Sequence, residues 1–238
     1  GRLGVWHEDA ADFVERVSAY TWLRVCGLAT HFPVADTDAA FTRRQFKILE
    51  SVVQRLTSFV YGDMEIHAAN SAGLAMYQNR LCNLLRPGLM VYGLYPNETI
   101  RRRVRLRPVM TIKSRVIFVK KIQPGQSISY GRTFIARRPM KAATIAIGYS
   151  DGYFRSLSNK SEVLIGGKRC RLLGRVTMDQ IVVDVSAVKN VRLGQEAVIL
   201  GRQGQAVVTA ENLAQWAGTI NYEITCNLGN RLPRIYLS

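Results

Sequence analysis

Ser129-Tyr130-Gly131-Arg132-Thr133-Phe134 sets a phenol beside a glycine and two residues before a guanidinium. A phenol ordinarily titrates near ~10, and a neighbouring cation eases loss of its proton, so the trio has the parts of an acid/base. The segment follows the turn Gln123-Pro124-Gly125-Gln126 and precedes an alternating run, which puts Tyr130 where a strand meets a loop. A strand-end tyrosine that packs its ring and makes one hydrogen bond fits the same pattern, and the chain has ten tyrosines.

Four further segments carry groups that suit a small anionic ligand. His67-Ala68-Ala69-Asn70-Ser71 ends an expected strand and enters a helix, where Ser71 and the helix amides suit a phosphate or a plain N-cap. In Arg86-Pro87-Gly88-Leu89, Gly88 permits close backbone approach and Arg86 reaches the strand-end face, unless these residues form a surface turn. The amides of Arg175-Val176-Thr177-Met178-Asp179-Gln180, between two β runs, suit a carboxylate or an ordinary turn. Tyr222 offers a phenol to a phosphate oxygen. There is no Ser/His/Asp grouping, Walker loop or GxGxxG. Three histidines are too few for a His-based metal site, and no metal is expected.

The elements that must position these groups divide in two. Residues 8–20 read as a helix, Leu23–Leu28 as a buried strand, and 39–60 as a helix. The stripe of that second helix is Phe46, Leu49, Val52, Val53, Leu56, Phe59 and Val60, with Arg43, Lys47, Glu50 and Arg55 on the wet face. A strand near Met64–His67, a helix bearing Leu74 and Tyr77, and a strand-like run Leu89–Leu94 follow. This alternation with short connections belongs to a parallel α/β sheet. Three to four such units are half of what a (β/α)8 barrel of ~250 residues requires. Beyond a boundary near 95–108, short β runs separated by Gly, Pro, Asn and Asp turns span Val109–Val119, Ser127–Ile135, Ala142–Ile147, Val163–Ile165, Arg169–Leu173, Ile181–Val185, Ala197–Leu200 and Val207–Val208. One helix near 210–217 has Thr209 as its N-cap. The expected organisation is α/β plus β: residues 1–100 as half of a (β/α)8 TIM-like barrel, and 101–238 as a mostly-β C-terminal domain.

Composition narrows the class. Hydrophobic residues at 47% and charged residues at 21% describe a globular chain, and no run of ~18 apolar residues predicts a membrane span. Cys26, Cys82, Cys170 and Cys226 stand far apart, as expected of reduced core thiols in a cytoplasmic protein. Thirty-three basic against 17 acidic residues give +16. The basic residues are scattered apart from Arg101-Arg102-Arg103-Val104-Arg105-Leu106-Arg107, which lacks interleaved aromatics, so neither nucleic acid nor membrane is the expected partner.

Taken together, the segments resemble the fold-type III pyridoxal-phosphate alanine racemases over essentially the whole length. The matching strings are Gly1-Arg2-Leu3-Gly4, Gly27-Leu28-Ala29-Thr30-His31-Phe32, His67-Ala68-Ala69-Asn70-Ser71-Ala72, Arg86-Pro87-Gly88-Leu89-Met90-Val91-Tyr92-Gly93, Ser129-Tyr130-Gly131-Arg132-Thr133-Phe134, Ile147-Gly148-Tyr149-Ser150-Asp151-Gly152-Tyr153, Gly174-Arg175-Val176-Thr177-Met178-Asp179-Gln180 and Thr219-Ile220-Asn221-Tyr222-Glu223. Eight strings in one order at matching spacing make the resemblance specific. It implies a cytoplasmic, PLP-dependent isomerase that interconverts L- and D-alanine and supplies D-alanine for peptidoglycan. It also implies a homodimer in which one subunit's β domain completes the other's site. Tyr130 is then the base on one face of the substrate Cα, opposite a cofactor-bearing lysine. Arg86 pairs with the pyridine nitrogen, His67 links Arg86 to Tyr130, and His31 lies near the ring. Ser71, Gly88, Leu89 and Tyr222 hold the phosphate. Arg2 and the Met178 amide meet the substrate carboxylate, and Tyr149 lines the entrance.

The chain departs from the family at one point. The family's lysine lies in an early Lys-Ala-Asn-Ala-Tyr-like segment, which does not occur here. Lys47, the only lysine before residue 113, is on an exposed helix face. The first residues, Gly1–Glu8, show no initiator Met and no n-region or h-region of a signal peptide, and the chain is expected to start part-way through the barrel and to be inactive alone. A serine or broad-spectrum racemase, or a non-catalytic basic fragment that binds other proteins or nucleic acid, remains the alternative to an alanine racemase.

Overall fold

A computed structural model describes residues 1–56, 64–78 and 80–237. They divide into two units, Gly1–Pro108 and Val109–Ser238.

The first unit contains α1 (Ala10–Ser18), β1 (Gly27–Ala29), α2 (Ala39–Leu56), β2 (Glu65–His67), α3 (Ser71–Met76) and α4 (Glu98–Arg101). β1 and β2 run parallel, with Gly27, Leu28 and Ala29 opposite Glu65, Ile66 and His67. The apolar stripe of α2 faces inward through Leu49, Val52 and Leu56, while Arg43, Lys47, Glu50 and Arg55 stay exposed. Phe59 and Val60 of the expected stripe lie outside the described residues. Leu49 joins Phe32, Ile66, Ala68, Ala72 and Ile100 in one core, with the Phe32 and Phe46 rings 4.5 Å apart.

Two expected strands differ. The buried strand Leu23–Leu28 shrinks to β1, and Trp22 and Leu23 are exposed. Among the described residues three pair in register with β2, and an apolar run without a partner has no ladder to join. Leu89–Leu94 is a 3-10 turn over Leu89–Tyr92, closed by Gly93 at φ 73°. The Gly88 and Met90 amides both turn toward the Ser71 hydroxyl, so neither is available to a strand.

The second unit holds β3 (Ile112–Ile122), β4 (Ser127–Ile128), β5 (Phe134–Ile135), β6 (Met140–Ile145), β7 (Glu162–Ile165), β8 (Lys168–Arg171), β9 (Ile181–Asp184), β10 (Glu196–Gln203), β11 (Ala206–Val208), α5 (Ala210–Ala217) and α6 (Asn221–Cys226). The main sheet runs β8-β7-β10-β3-β6-β9, antiparallel throughout, with β11 added on β10. Its ends meet: Leu172, just past β8, bridges Val183 of β9, and the Leu173 N–H donates to the Val182 carbonyl at 2.8 Å. The sheet thus curls on itself over fully buried Ile145, Val163, Ile165, Leu172, Ile181, Val183 and Ile199. Closure removes the unpaired edge that a flat sheet would expose. The Thr209 side chain caps α5 by accepting from the Asn212 N–H.

The run expected over Ser127–Ile135 breaks into β4, a 3-10 turn at Tyr130–Arg132, and β5. Ser129, Gly131 and Arg132 all have positive φ, a conformation that no continuous strand tolerates. Of the cysteines, only Cys170 is fully buried. Cys82 is half-buried, and Cys26 and Cys226 are exposed, so the expectation of core thiols holds for one of four.

Candidate active site

Parallel pairing of β1 and β2 brings the chain beyond both strands to the same end. Ala29 pairs with His67, so His31 lies two residues past one strand end and Ala68–Ser71 directly past the other. Asn70 turns the chain into α3: its Oδ1 accepts from the Gly73 N–H at 2.9 Å and its Nδ2 donates to the Phe32 carbonyl at 3.1 Å. The same amide side chain therefore caps the helix and ties it to the segment after β1.

Arg86 enters alongside. Asn83 accepts from the Ile66 N–H at 2.7 Å and donates to the Met64 carbonyl at 2.9 Å, and the Arg86 N–H donates to the Ala69 carbonyl at 3.1 Å. The guanidinium Nη2 donates to the Thr30 and Ala68 carbonyls at 2.6 and 3.3 Å, and Nη1 lies 3.1 Å from His31 Nδ1. A guanidinium only donates, so His31 Nδ1 is the acceptor and its ring is neutral. Burial foremost, then the charges of Arg86 and Arg2, hold the imidazole below its ordinary 6.5. Arg86 is therefore paired with His31. The expected link from His67 to Arg86 is not made: the buried His67 Nδ1 and Arg86 Nε have no partner among the described residues.

The buried Ser71 hydroxyl accepts from the Gly88 N–H at 3.0 Å and the Met90 N–H at 3.2 Å, leaving its own proton to donate. Nothing lies within 4 Å of where a Cβ on Gly88 would stand. An aromatic phosphate with an unprotonated ring nitrogen fits this end of the unit. The groups offered are donors, two polar atoms are buried without partners, and the backbone at Gly88 is open to close approach.

The second unit assembles Tyr130, Tyr149 and Met178. Ser129 Oγ donates to the Arg175 carbonyl at 2.7 Å, tying the Tyr130 turn to the 174–178 segment and leaving Tyr130 74% exposed. A Cβ on Gly131 would stand 3.0 Å from the Arg175 guanidinium carbon. The cation against the turn is therefore Arg175, which sequence spacing missed in favour of Arg132. The Tyr149 and Ser150 amides donate to the Thr177 and Met178 carbonyls, both at 3.0 Å. The Met178 N–H makes no hydrogen bond among the described residues. Tyr222 is on α6, and the carbonyl of Asn227, which caps that helix just past its end, would stand 2.1 Å from a Cβ on Gly152, at the end of the Tyr149 turn.

Comparison with known proteins bears on this arrangement. Residues 1–96 match the family model of the alanine racemase N-terminal domain, and 109–236 that of the alanine racemase C-terminal domain. The chain belongs to the alanine racemase family. That family is pyridoxal-phosphate-dependent. The alanine racemase of Halothermothrix orenii is 39% identical over 237 residues, 99% of this chain and 62% of the relative. That of Carboxydothermus hydrogenoformans is 41% identical over 239 residues, 100% and 65% respectively. The chain thus spans less than two thirds of the length of these relatives. The crystal structure of alanine racemase from Streptomyces lavendulae superposes with a TM-score of 0.93 at 34% identity, covering 100% of this chain and 64% of that one. The Bacillus anthracis enzyme with bound L-Ala-P superposes at 0.91 and 33%, covering 100% and 62%. The architecture is that of an alanine racemase: part of the N-terminal barrel followed by the C-terminal β domain.

Proposed function

We propose that this chain carries the Tyr130 half of a two-base alanine racemase that binds pyridoxal 5'-phosphate. The observation that supports the reading best is Arg86, held by two backbone carbonyls and a neutral His31 with its Nε unpaired. Arg86 would meet the pyridine nitrogen, and because a guanidinium keeps its proton, the nitrogen stays unprotonated. His31 would line the ring and buttress Arg86. His67 would offer its unpaired Nδ1. Ser71, Gly88, Leu89 and Tyr222 would hold the phosphate. When bound, the cofactor supplies a conjugated ring that spreads the charge left at Cα.

The Tyr130 oxygen would take a proton from, or return it to, one face of the substrate Cα. Racemisation requires a base on each face, one to remove the proton and one to replace it from behind. Arg2 and the Met178 N–H would hold the substrate carboxylate, and Tyr149 would line its way in. The exposure of Tyr130 suits a homodimer in which this phenol serves the partner's cofactor. Such an enzyme would work in the cytoplasm and supply D-alanine to peptidoglycan. This reading assigns no cofactor lysine within the 238 residues.

Tyr130→Phe in the complete enzyme tests the reading. The L and D isomers have equal energy, so kcat/KM must fall by one factor in both directions, about 10²–10⁴ if the phenol is the acid/base. Exchange of the Cα hydrogen with solvent deuterium should be lost for the enantiomer facing the phenol and kept for the other, with PLP still bound. Unchanged racemisation, or equal loss of exchange from both enantiomers, would overturn the role.

A further inference from the structure

Met178 and Tyr149 are on separate loops, and among the described residues the Arg231 side chain ties both to the C-terminal segment. Arg231 Nη1 donates to Asp179 Oδ1 at 2.7 Å and to Ser150 Oγ at 2.5 Å, and its Nε lies 3.6 Å from Asp151 Oδ1. Ser150 Oγ is equally connected: its one proton has the Met178 carbonyl at 2.7 Å and Asp179 Oδ1 at 2.9 Å as acceptors within reach. The other oxygen of the buried Asp151, Oδ2, accepts from the Gly148 N–H at 2.9 Å and closes the Tyr149 turn from within. The Gly229 N–H donates to the Asp151 carbonyl at 3.1 Å, holding the strap that carries Arg231 against that turn.

One planar cation thus spans two carboxylates and a hydroxyl on two loops, an arrangement suited to the fork of arginine and not to a point charge. Without it, both carboxylates would lose their shared cation, at the seam where the Tyr149 and Ser150 amides reach Thr177 and Met178. The Asp179 carboxyl is held below its ordinary range, chiefly by the Arg231 hydrogen bond.

We propose that Arg231 is a positioning residue that locks the Tyr149 turn to the Met178 loop and so fixes the backbone amide that receives the substrate carboxylate. The inference rests on the roles given to Met178 and Tyr149 above. In the full-length protein, Arg231→Ala should speed hydrogen exchange at the Tyr149 and Ser150 amides at least about tenfold, the loss of one charge-assisted bond, and leave exchange in β6 and β9 unchanged. KM for alanine should rise on the order of tenfold while kcat changes less, because ground-state and transition-state binding of the carboxylate are lost together. Arg231→Lys keeps one charged contact and should recover part of the KM. Asp179→Asn, which keeps shape, should mimic the alanine variant if that one fails to fold. Unchanged exchange at Tyr149 and Ser150, exchange that rises equally in β6 and β9, or a fall confined to kcat would each overturn the proposal. A parent protein that does not racemise alanine refutes the assigned function instead, and the exchange measurement still decides the clamp.

Discussion

Arg86 and His31 form a donor–acceptor pair whose chemistry is decided by charge. The guanidinium cannot accept, so the imidazole must, and a second positive charge on His31 would face Arg86 and Arg2 at close range. Protonation is therefore resisted in the folded chain. The unfolded chain takes up a proton near 6.5 and the folded chain only at lower pH. His31 therefore contributes stability that is fully present above 6.5 and is lost as pH falls through the folded value. Imidazole titration by NMR should give a midpoint below 6.5. Arg86→Ala should move it upward without restoring 6.5, since burial, the largest cause, persists. A midpoint in Arg86→Ala equal to that of the parent would remove Arg86 from the account.

At the scale of elements, the site depends on where chain segments stop. Asn70 ends the segment after β2, caps α3 and bonds the Phe32 carbonyl. Asn70→Ala removes all of this and should cost about 1–2 kcal/mol, read from the denaturant midpoint of the first unit. Gly148 has no positive φ, yet a Cβ there would stand 2.2 Å from the Met178 carbonyl oxygen and 2.3 Å from that of Thr177. Gly148→Ala must push the Tyr149 turn off the Met178 loop, at a cost of about 1–3 kcal/mol by overpacking. Melting of the second unit measures the cost, and an unshifted melt would mean that the seam is loose.

For the whole molecule, a closed sheet around an apolar core explains why Cys170 is the most deeply buried of the four cysteines. Cys170 on β8 is buried, and burial foremost pushes its thiol up to about 12, so little thiolate exists at neutral pH. Cys26 and Cys226 are exposed. A thiol reagent at pH 8 should label those two in the native chain and reach Cys170 only as the second unit unfolds. Rapid native labelling of Cys170 would show that the sheet opens. Among the described residues, no helix is long and apolar enough to cross a membrane, and no three His, Cys, Asp or Glu groups are placed to hold a metal.

Much of this was legible in residue order. The stripe of α2, the Thr209 cap and most β runs follow from periodicity and turn chemistry, which act over a few neighbours. The strings around Tyr130, His67, Arg86 and Met178 carried the family. Contacts across long sequence separations were not legible, because nothing local encodes them. His31 rather than His67 takes Arg86, 55 residues away. Arg175 rather than Arg132 backs the Tyr130 turn. Arg231 reaches Ser150 across 81 residues. Leu89–Tyr92 turns instead of extending because Ser71, distant in sequence, claims its amides. Local order determined which groups are present, and only the tertiary fold decided which donor meets which acceptor, since a hydrogen bond needs its two groups close in space and not in sequence.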